Sequence, residues 1–556
     1  MVWIVLLPLR LLGVALVNLL LLPRNLLRAL RRRPAWVAVK LAGPLLERRP
    51  RRKLLRRPKG VSLEALADLG EEVRRDPRVR GVLLLIDAID AGWARLESLR
   101  AQIAAWRAAG KRVVAHLSSP GNRELFVAAA CDEILCDESG SVGLTGLAIE
   151  AGFYGEALRR LGVDAEVEAQ GEYKSFGETF TRSDMSSANR EATAAILDGV
   201  DRGFRDALAA GRSVDATRVQ ALIDGGPYLP EAAREAGLVD AILYRDEVPK
   251  RLETGESRIV KLGAYLGGRV RWFWPGLRRR REVALLSLDG IIAPGRGSNL
   301  LVSAVGADAA CRTLTALRKD DGVAAVVLRV DSRGGSAAAS DRIWREVQRL
   351  AEKKPVVAHL GDVAASGGYY VVAPCHWIVA QPSTLTGSIG VIGGKLVVER
   401  LLERLGIGTE LLARGQAAAM ASARRRYDEA GREKLRAEIV GMYAQFVAKV
   451  MAGRHLDEAR TDAAARGRVW TGADARERGL VDQLGGLADA IAEAERRARR
   501  RPGEEFRVVD HAPKREGGPL AGLFGDARAL HDALATLDSL TSERVLAVAL
   551  RLPTIR

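Results

Sequence analysis

Residues 356–372 read VVAHLGDVAASGGYYVV. A short apolar strand passes through a turn of small residues, Ala364-Ala365-Ser366-Gly367-Gly368, and a helix starts near Ser366. Strand, tight turn and helix lift one hydroxyl above a sheet edge, with backbone N–H groups nearby to bind an anion. Ser366 is therefore a candidate nucleophile. No G-x-S-x-G motif and no histidine triad accompanies it, so its base must come from elsewhere, and Lys174 is the candidate. A lysine acts as a base only when neutral, which requires a pKa lowered by burial or nearby positive charge. The oxyanion formed on attack needs N–H donors. Gly367, just after the serine, is one candidate, and Gly334 or Gly335 in Arg333-Gly334-Gly335-Ser336 is the other, since glycine lets backbone approach a substrate closely. Ser388, within TLTGSIG at 384–390, is placed to hydrogen-bond the lysine amine and aim it. Singly, each has a plain structural reading: a helix N-cap, a turn, a solvated lysine. Their joint arrangement on a repeated scaffold is what favours chemistry.

That scaffold is visible as an internal repeat at a shift near 244 residues. The stretch 82–87 (VLLLID) matches 326–331 (VVLRVD), and 111–116 (KRVVAH) matches 354–359 (KPVVAH). Leu99, Ile103 and Trp106 match Ile343, Val347 and Leu350 at helical spacing. Cys131–Ile134 and Glu235–Asp240 find their counterparts at 375–378 and 477–482. Ordered matches at a nearly constant offset indicate duplication. Short apolar strands alternate with amphipathic helices, so the fold expected is α/β, two tandem modules each with a mostly parallel sheet and flanking helices. The boundaries expected are 61–250 and 283–500, with a linker at 251–282 and a tail at 501–556 ending in an apolar helix over 530–550. The copies differ where it matters. Near Asn122 the first copy has Asn-Arg-Glu in place of Ser-Gly-Gly, and the second has Ala418 where the first has Lys174. One copy carries the hydroxyl and the other the amine.

The net charge of +17 is concentrated, because residues 1–60 hold 15 Lys/Arg against Glu47 alone, which leaves +3 for the other 496 residues. Nucleic-acid binding by the globular part is therefore not expected. Residues 2–23 are nearly all Leu, Val and Ile, long enough to reach across a bilayer although Pro8 and Arg10 interrupt them. The expectation is an uncleaved N-terminal membrane anchor, with the basic stretch 24–59 against anionic lipid. By the positive-inside rule that stretch argues for a cytoplasmic body. Four cysteines without a C-x-x-C pair read as buried thiols, and six histidines without ligand spacing give no metal site; no cofactor is expected.

The most specific pieces are DVAASGGYYVV around Ser366, PSTLTGSIGV at 382–391, GEYKSFGETFTR around Lys174 and RVWTGADARERGLVDQLGG at 468–486. Through them, residues 70–500 resemble the long, duplicated form of the signal peptide peptidase A (protease IV) family, membrane-anchored bacterial serine peptidases of the ClpP/crotonase superfamily. The resemblance implies a Ser366–Lys174 dyad, a lysine-positioning Ser388 and an oxyanion contribution from Gly334 or Gly335. It implies remnant signal peptides and other short or unfolded hydrophobic polypeptides as substrates, and a ring-like homo-oligomer, a tetramer. It also places the catalytic part outside the bacterial cytoplasmic membrane, against the charge argument. One departure stands out: the family reads Asn-Ser-Pro-Gly-Gly where this chain has Asp331-Ser332-Arg333-Gly334-Gly335. Two other classes compete with an endopeptidase, a crotonase-type acyl-CoA enzyme and an inactive membrane scaffold. The dyad reading alone requires Lys174, and it has turnover rising through an alkaline pKa.

Overall fold

The computed structural model describes residues 2–29, 34–49, 60–255, 258–268, 281–297, 303–499, 506–513, 545–548 and 555. The chain forms two compact units, Met1–Leu147 with Asp201–Arg279, and Ala148–Val200 with Arg280–Arg556.

The first unit is built on a parallel sheet in the order Val61–Ser62, Trp36–Leu46, Gly81–Asp90, Arg112–Leu117, Glu133–Cys136, Ala241–Ile242, with Ile259–Lys261 beside Trp36–Leu46. The unit thus begins before residue 61. Trp36, Val37, Val39 and Leu41 are buried in a strand that the surrounding basic runs conceal in the sequence. A strand covered on both faces needs apolar residues in succession, and Val82, Leu83, Leu84 and Ile86 supply them in the next strand. Leu99, Ile103 and Trp106 form the buried stripe of the helix Trp93–Ala108.

The second unit repeats this order strand for strand. Glu282–Asp289, Val323–Ser332, Val356–Ala365, Trp377–Ala380 and Gln483–Leu484 pair in parallel succession. Ile343, Val347 and Leu350 are the buried stripe of the helix Ala337–Ala351. The duplication extends to single hydrogen bonds. Asp240 accepts from the Ile134 N–H and pairs with Arg212, while Asp482 accepts from the Ile378 N–H and pairs with Arg454. Lys111 and Lys354 each donate to two backbone carbonyls.

Residues 148–200, which carry Lys174, pack with the second unit rather than the first. The strand Asp164–Gln170 pairs antiparallel with Val391–Val397 over seven registered positions. Its acids alternate with small or apolar residues and meet arginines from the second half. Asp164 faces Arg400 and Arg426, Glu166 faces Arg432, and Glu168 faces Arg432 and Arg436. A ladder and an ion-pair network together fix where this arm lands.

The strand Arg507–His511 adds to the sheet beside Glu282–Asp289. Of the helix expected over 530–550, residues 530–544 lie outside the described residues and Val545–Val548 form a strand. The aromatic and basic linker is likewise outside them over 269–280. The leader forms a helix over Val2–Ala29, and Leu12, Leu16, Leu19, Leu20 and Leu26 on it are exposed. Among the described residues no helix is long and apolar enough to cross a membrane.

Candidate active site

Ser366 sits between the strand Val356–Ala365 and the helix Gly367–Val372. Its φ of 56° and ψ of −118° fall in a region that L-residues rarely occupy, a strain of about 1–3 kcal/mol held by the surrounding structure. The holding contacts are its own N–H, which donates to Gly387 O at 2.8 Å, and its carbonyl, which accepts from the Tyr370 N–H at 2.8 Å. Tyr369, fully buried one turn on, anchors the helix by donating from its hydroxyl to Leu480 O at 2.8 Å.

Lys174 arrives from the arm, in the short turn after Asp164–Gln170. Its Nζ lies 2.8 Å from Ser366 Oγ, 3.0 Å from Ser388 Oγ and 3.1 Å from Ser388 O. Those three oxygens account for the three directions of the amine. Both Lys174 and Ser366 are buried. Desolvation, with no opposite charge to offset it, lowers the Lys174 pKa from 10.5 to about 7. The sequence-based expectation of an alkaline base is thus shifted to neutrality, because burial penalises the ammonium. Ser388 also adopts a positive φ, 50°, and its N–H donates to Arg468 O at 2.7 Å.

The 466–468 loop ties the lysine-bearing arm to the segment that follows Ser388. Arg466 O accepts from the Tyr173 N–H at 3.0 Å and the Gly467 N–H donates to Ile389 O at 2.7 Å. A Cβ on Gly467, φ +79°, would lie 2.7 Å from Lys174 Cβ. The Arg468 guanidinium stacks on Tyr173 and Trp470 and pairs with Glu191. Sequence reasoning quoted the segment from Arg468 onward without giving it a role and passed over Arg466 and Gly467; the only signal was the glycine–arginine pair ahead of an aromatic strand.

Gly334 and Gly335 flank the site in the short strand Gly334–Ser336. Ser332, two residues before Gly334, is in register with Ala364, and its carbonyl would be only 2.6 Å from a Cβ on Gly368. A Cβ on Gly335 would lie 2.0 Å from Ile292 O, so this position requires glycine. The Gly334 N–H donates to Ser332 Oγ at 3.1 Å. Gly367 is the first residue of its helix, where an N–H has no intrahelical acceptor.

Among the described residues no imidazole is hydrogen-bonded to Ser366, whose hydroxyl meets Lys174. His359, on the serine-bearing strand, is buried and held down to about 3 by desolvation and by Arg329, so it is neutral, and its ring nitrogens meet no hydrogen-bond partner among the described residues. In the first unit the matching position is filled structurally. Asn122 donates to Gly146 O and accepts from the Thr145 N–H, which uses up its amide in a loop. Among the described residues no group of His, Cys, Asp and Glu is arranged to hold a metal ion. The four cysteines are free thiols, three of them buried.

With this geometry in hand, comparison with known proteins gives a consistent result. The family model described as peptidase family S49 matches twice, at residues 105–258 and 348–500. A "Serine protease SPPA, chloroplastic" from Arabidopsis thaliana is 34% identical over 449 residues, covering 79% of this chain and 66% of its own. "Protease 4" of Haemophilus influenzae is 28% identical over 460 residues, covering 79% of this chain and 73% of its own. "Protease 4" of Salmonella typhi is 30% identical over 447 residues, covering 78% and 71%.

Proposed function

This chain belongs to peptidase family S49, in the duplicated signal peptide peptidase A form, and is a serine-type peptidase; from that premise we propose that Ser366 is the nucleophile and Lys174 the general base. The observation that carries the reading is the 2.8 Å approach of a buried, charge-depleted lysine to a strained, buried serine. At neutral pH about half of such lysines are unprotonated, against roughly one in a few thousand for a solvated one.

The chemistry follows from the contacts. The neutral Lys174 amine takes the Ser366 proton as Oγ attacks the peptide carbonyl carbon. The carbonyl π electrons move to oxygen, and that oxyanion is received by the Gly367 N–H and by Gly334 or Gly335. The tetrahedral intermediate collapses to the acyl-serine as the C–N bond breaks, and the Lys174 ammonium returns its proton to the leaving amine. Water, deprotonated by the same lysine, then hydrolyses the ester and restores Ser366. Ser388 keeps the amine aimed throughout, as a positioning residue. Arg333 puts a charge where the family has proline, beside the glycines.

The substrates we assign are short or unfolded hydrophobic polypeptides, such as cleaved signal peptides, bound as an extended strand along the glycine segment. The scaffold is a pair of ClpP/crotonase-like modules in a homo-oligomer, a tetramer. The exposed leucines of the helix Val2–Ala29, followed by a basic stretch, support attachment to an anionic bacterial inner membrane with the catalytic part extracytoplasmic.

A fluorogenic apolar peptide tests the reading. Turnover is expected from the intact chain and is lost in Ser366→Ala and in Lys174→Ala, each by at least about a thousandfold. Turnover that survives Lys174→Ala, or that requires coenzyme A, overturns it.

A further inference from the structure

The slot beside the glycine segment is already filled by this chain. Val545–Val548 lies between two strands of the second unit and pairs antiparallel with both. On one side Gly334 stands opposite Val548, Gly335 opposite Ala547 and Ser336 opposite Leu546. On the other side Ile392 stands opposite Leu546 and Gly393 opposite Val545. Each flanking strand belongs to the site. Gly334 and Gly335 are the oxyanion candidates, and Val391–Val397 starts three residues after Ser388 and is laddered to the arm that delivers Lys174. The tail runs toward Gly334, which follows by two residues Ser332, in register with Ala364, itself two residues before Ser366.

Its composition fits the position. Val-Leu-Ala-Val is a run of apolar residues without charge, the substrate class assigned above. A stretch bound by main-chain ladders on two sides presents itself as an extended peptide does in strand addition. Without it, Gly334–Ser336 touches its other neighbour, Ile291–Ala293, at the single register position Ile292–Gly335. The glycine segment therefore gains most of its backbone partners from the tail.

We propose that residues 545–548 are an internal competitor for the peptide slot, so that the intact chain is held in a latent state and a substrate binds by displacing its own tail. This rests on the Ser366–Lys174 peptidase reading. A tethered segment acts at an effective concentration on the order of millimolar, while four residues of strand bind weakly, so the latency is partial and sensitive to substrate.

The test uses the full chain with Ala547→Pro, which removes a ladder N–H and stiffens the strand. A second variant ends the chain after residue 513. For a fluorogenic apolar peptide, both are expected to lower KM by about fivefold with kcat unchanged. In a Ser366→Ala background the same changes are expected to tighten binding of a labelled apolar peptide by the same factor, read by anisotropy. A synthetic peptide of sequence 543–550 is expected to restore the higher KM to the shortened chain. Unchanged or raised KM in both variants, with anisotropy likewise unmoved, overturns the proposal and makes the tail a structural strand. Latency that grows with protein concentration also overturns it, because the tail would then act between chains. If no peptide is hydrolysed but the anisotropy shift appears, the tail inference stands and the catalytic reading falls.

Discussion

Lys174 Nζ lies 2.8 Å from Ser366 Oγ although 192 residues of chain separate them. Neither half of the duplicated sequence holds both groups. The amine comes from an arm of the first half, residues 148–200, that folds with the second. The pairing is thus made by a strand ladder and an acid–arginine network, and the catalytic reading depends on structure well away from the reacting atoms.

Lys174 should cost stability. Its pKa is about 7 when folded against 10.5 unfolded, so between those values the unfolded chain binds more protons and stability rises with pH; below pH 7 both states are protonated and the contribution is flat. Lys174→Met removes the desolvation penalty. At pH 7 the variant should be inactive yet more stable, by on the order of 3 kcal/mol, with the gain shrinking toward pH 10. Urea unfolding at pH 6, 8 and 10 checks it. A variant that is no more stable at pH 6 than the parent contradicts the buried-lysine account.

Ser388 supplies a hydroxyl and a carbonyl to the amine, at 3.0 Å and 3.1 Å. Ser388→Ala removes only the first. The lysine should remain buried but lose its aim, so kcat should fall about 10–100-fold with KM unchanged. A rise in KM with kcat preserved would mean that Ser388 binds peptide rather than orienting the base.

The arm is held in part by Glu166, which is buried, pairs with Arg432 at 2.9 Å and accepts from the Tyr427 N–H at 2.7 Å. Glu166→Ala leaves the buried Tyr427 N–H without its acceptor and Arg432 with Glu168 alone. It should destabilise by about 2–4 kcal/mol and lower kcat, because the lysine loosens with its strand. A double-mutant cycle with Arg432→Ala should give a coupling of about 1–3 kcal/mol. Additive effects would show that the network does not seat the arm.

Gly467 separates strain from geometry. With φ at +79°, an added Cβ comes 2.7 Å from Lys174 Cβ, whereas Gly237, with φ at +80°, has nothing within 4 Å of its own. Both alanine variants carry a backbone penalty of about 1 kcal/mol. Gly467→Ala alone should displace the lysine and reduce kcat by about a hundredfold. Equal losses in the two variants would trace the effect to stability.

The serine end of the site was legible because its signals are local. A strand, a small-residue turn and a helix start are all contained in the ten or so residues around Ser366, and the duplication shows in matched pieces that become equivalent strands and equivalent Asp–Arg pairs. The lysine's route was not legible in the same way. Asp164–Gln170 pairs with Val391–Val397 more than two hundred residues away, and a strand does not announce its partner; the alternation of Asp164, Glu166 and Glu168 was the one available sign. Trp36–Leu46 was hidden by the arginines around it, which made a buried strand look like part of a leader. The tail read as helical on apolar content, which does not by itself tell a helix from a strand.

The account is tested most directly by acylating the serine. The full chain is treated with an activated acyl ester over pH 5 to 9, and the rate of mass gain at the peptide containing Ser366 is followed. The account predicts one acyl group at Ser366, a rate that climbs about tenfold per pH unit below 7 and levels off above it, and no labelling in Lys174→Ala. Acylation of Ser366 in Lys174→Ala at the parental rate, or a profile without an inflection near neutrality, would contradict it.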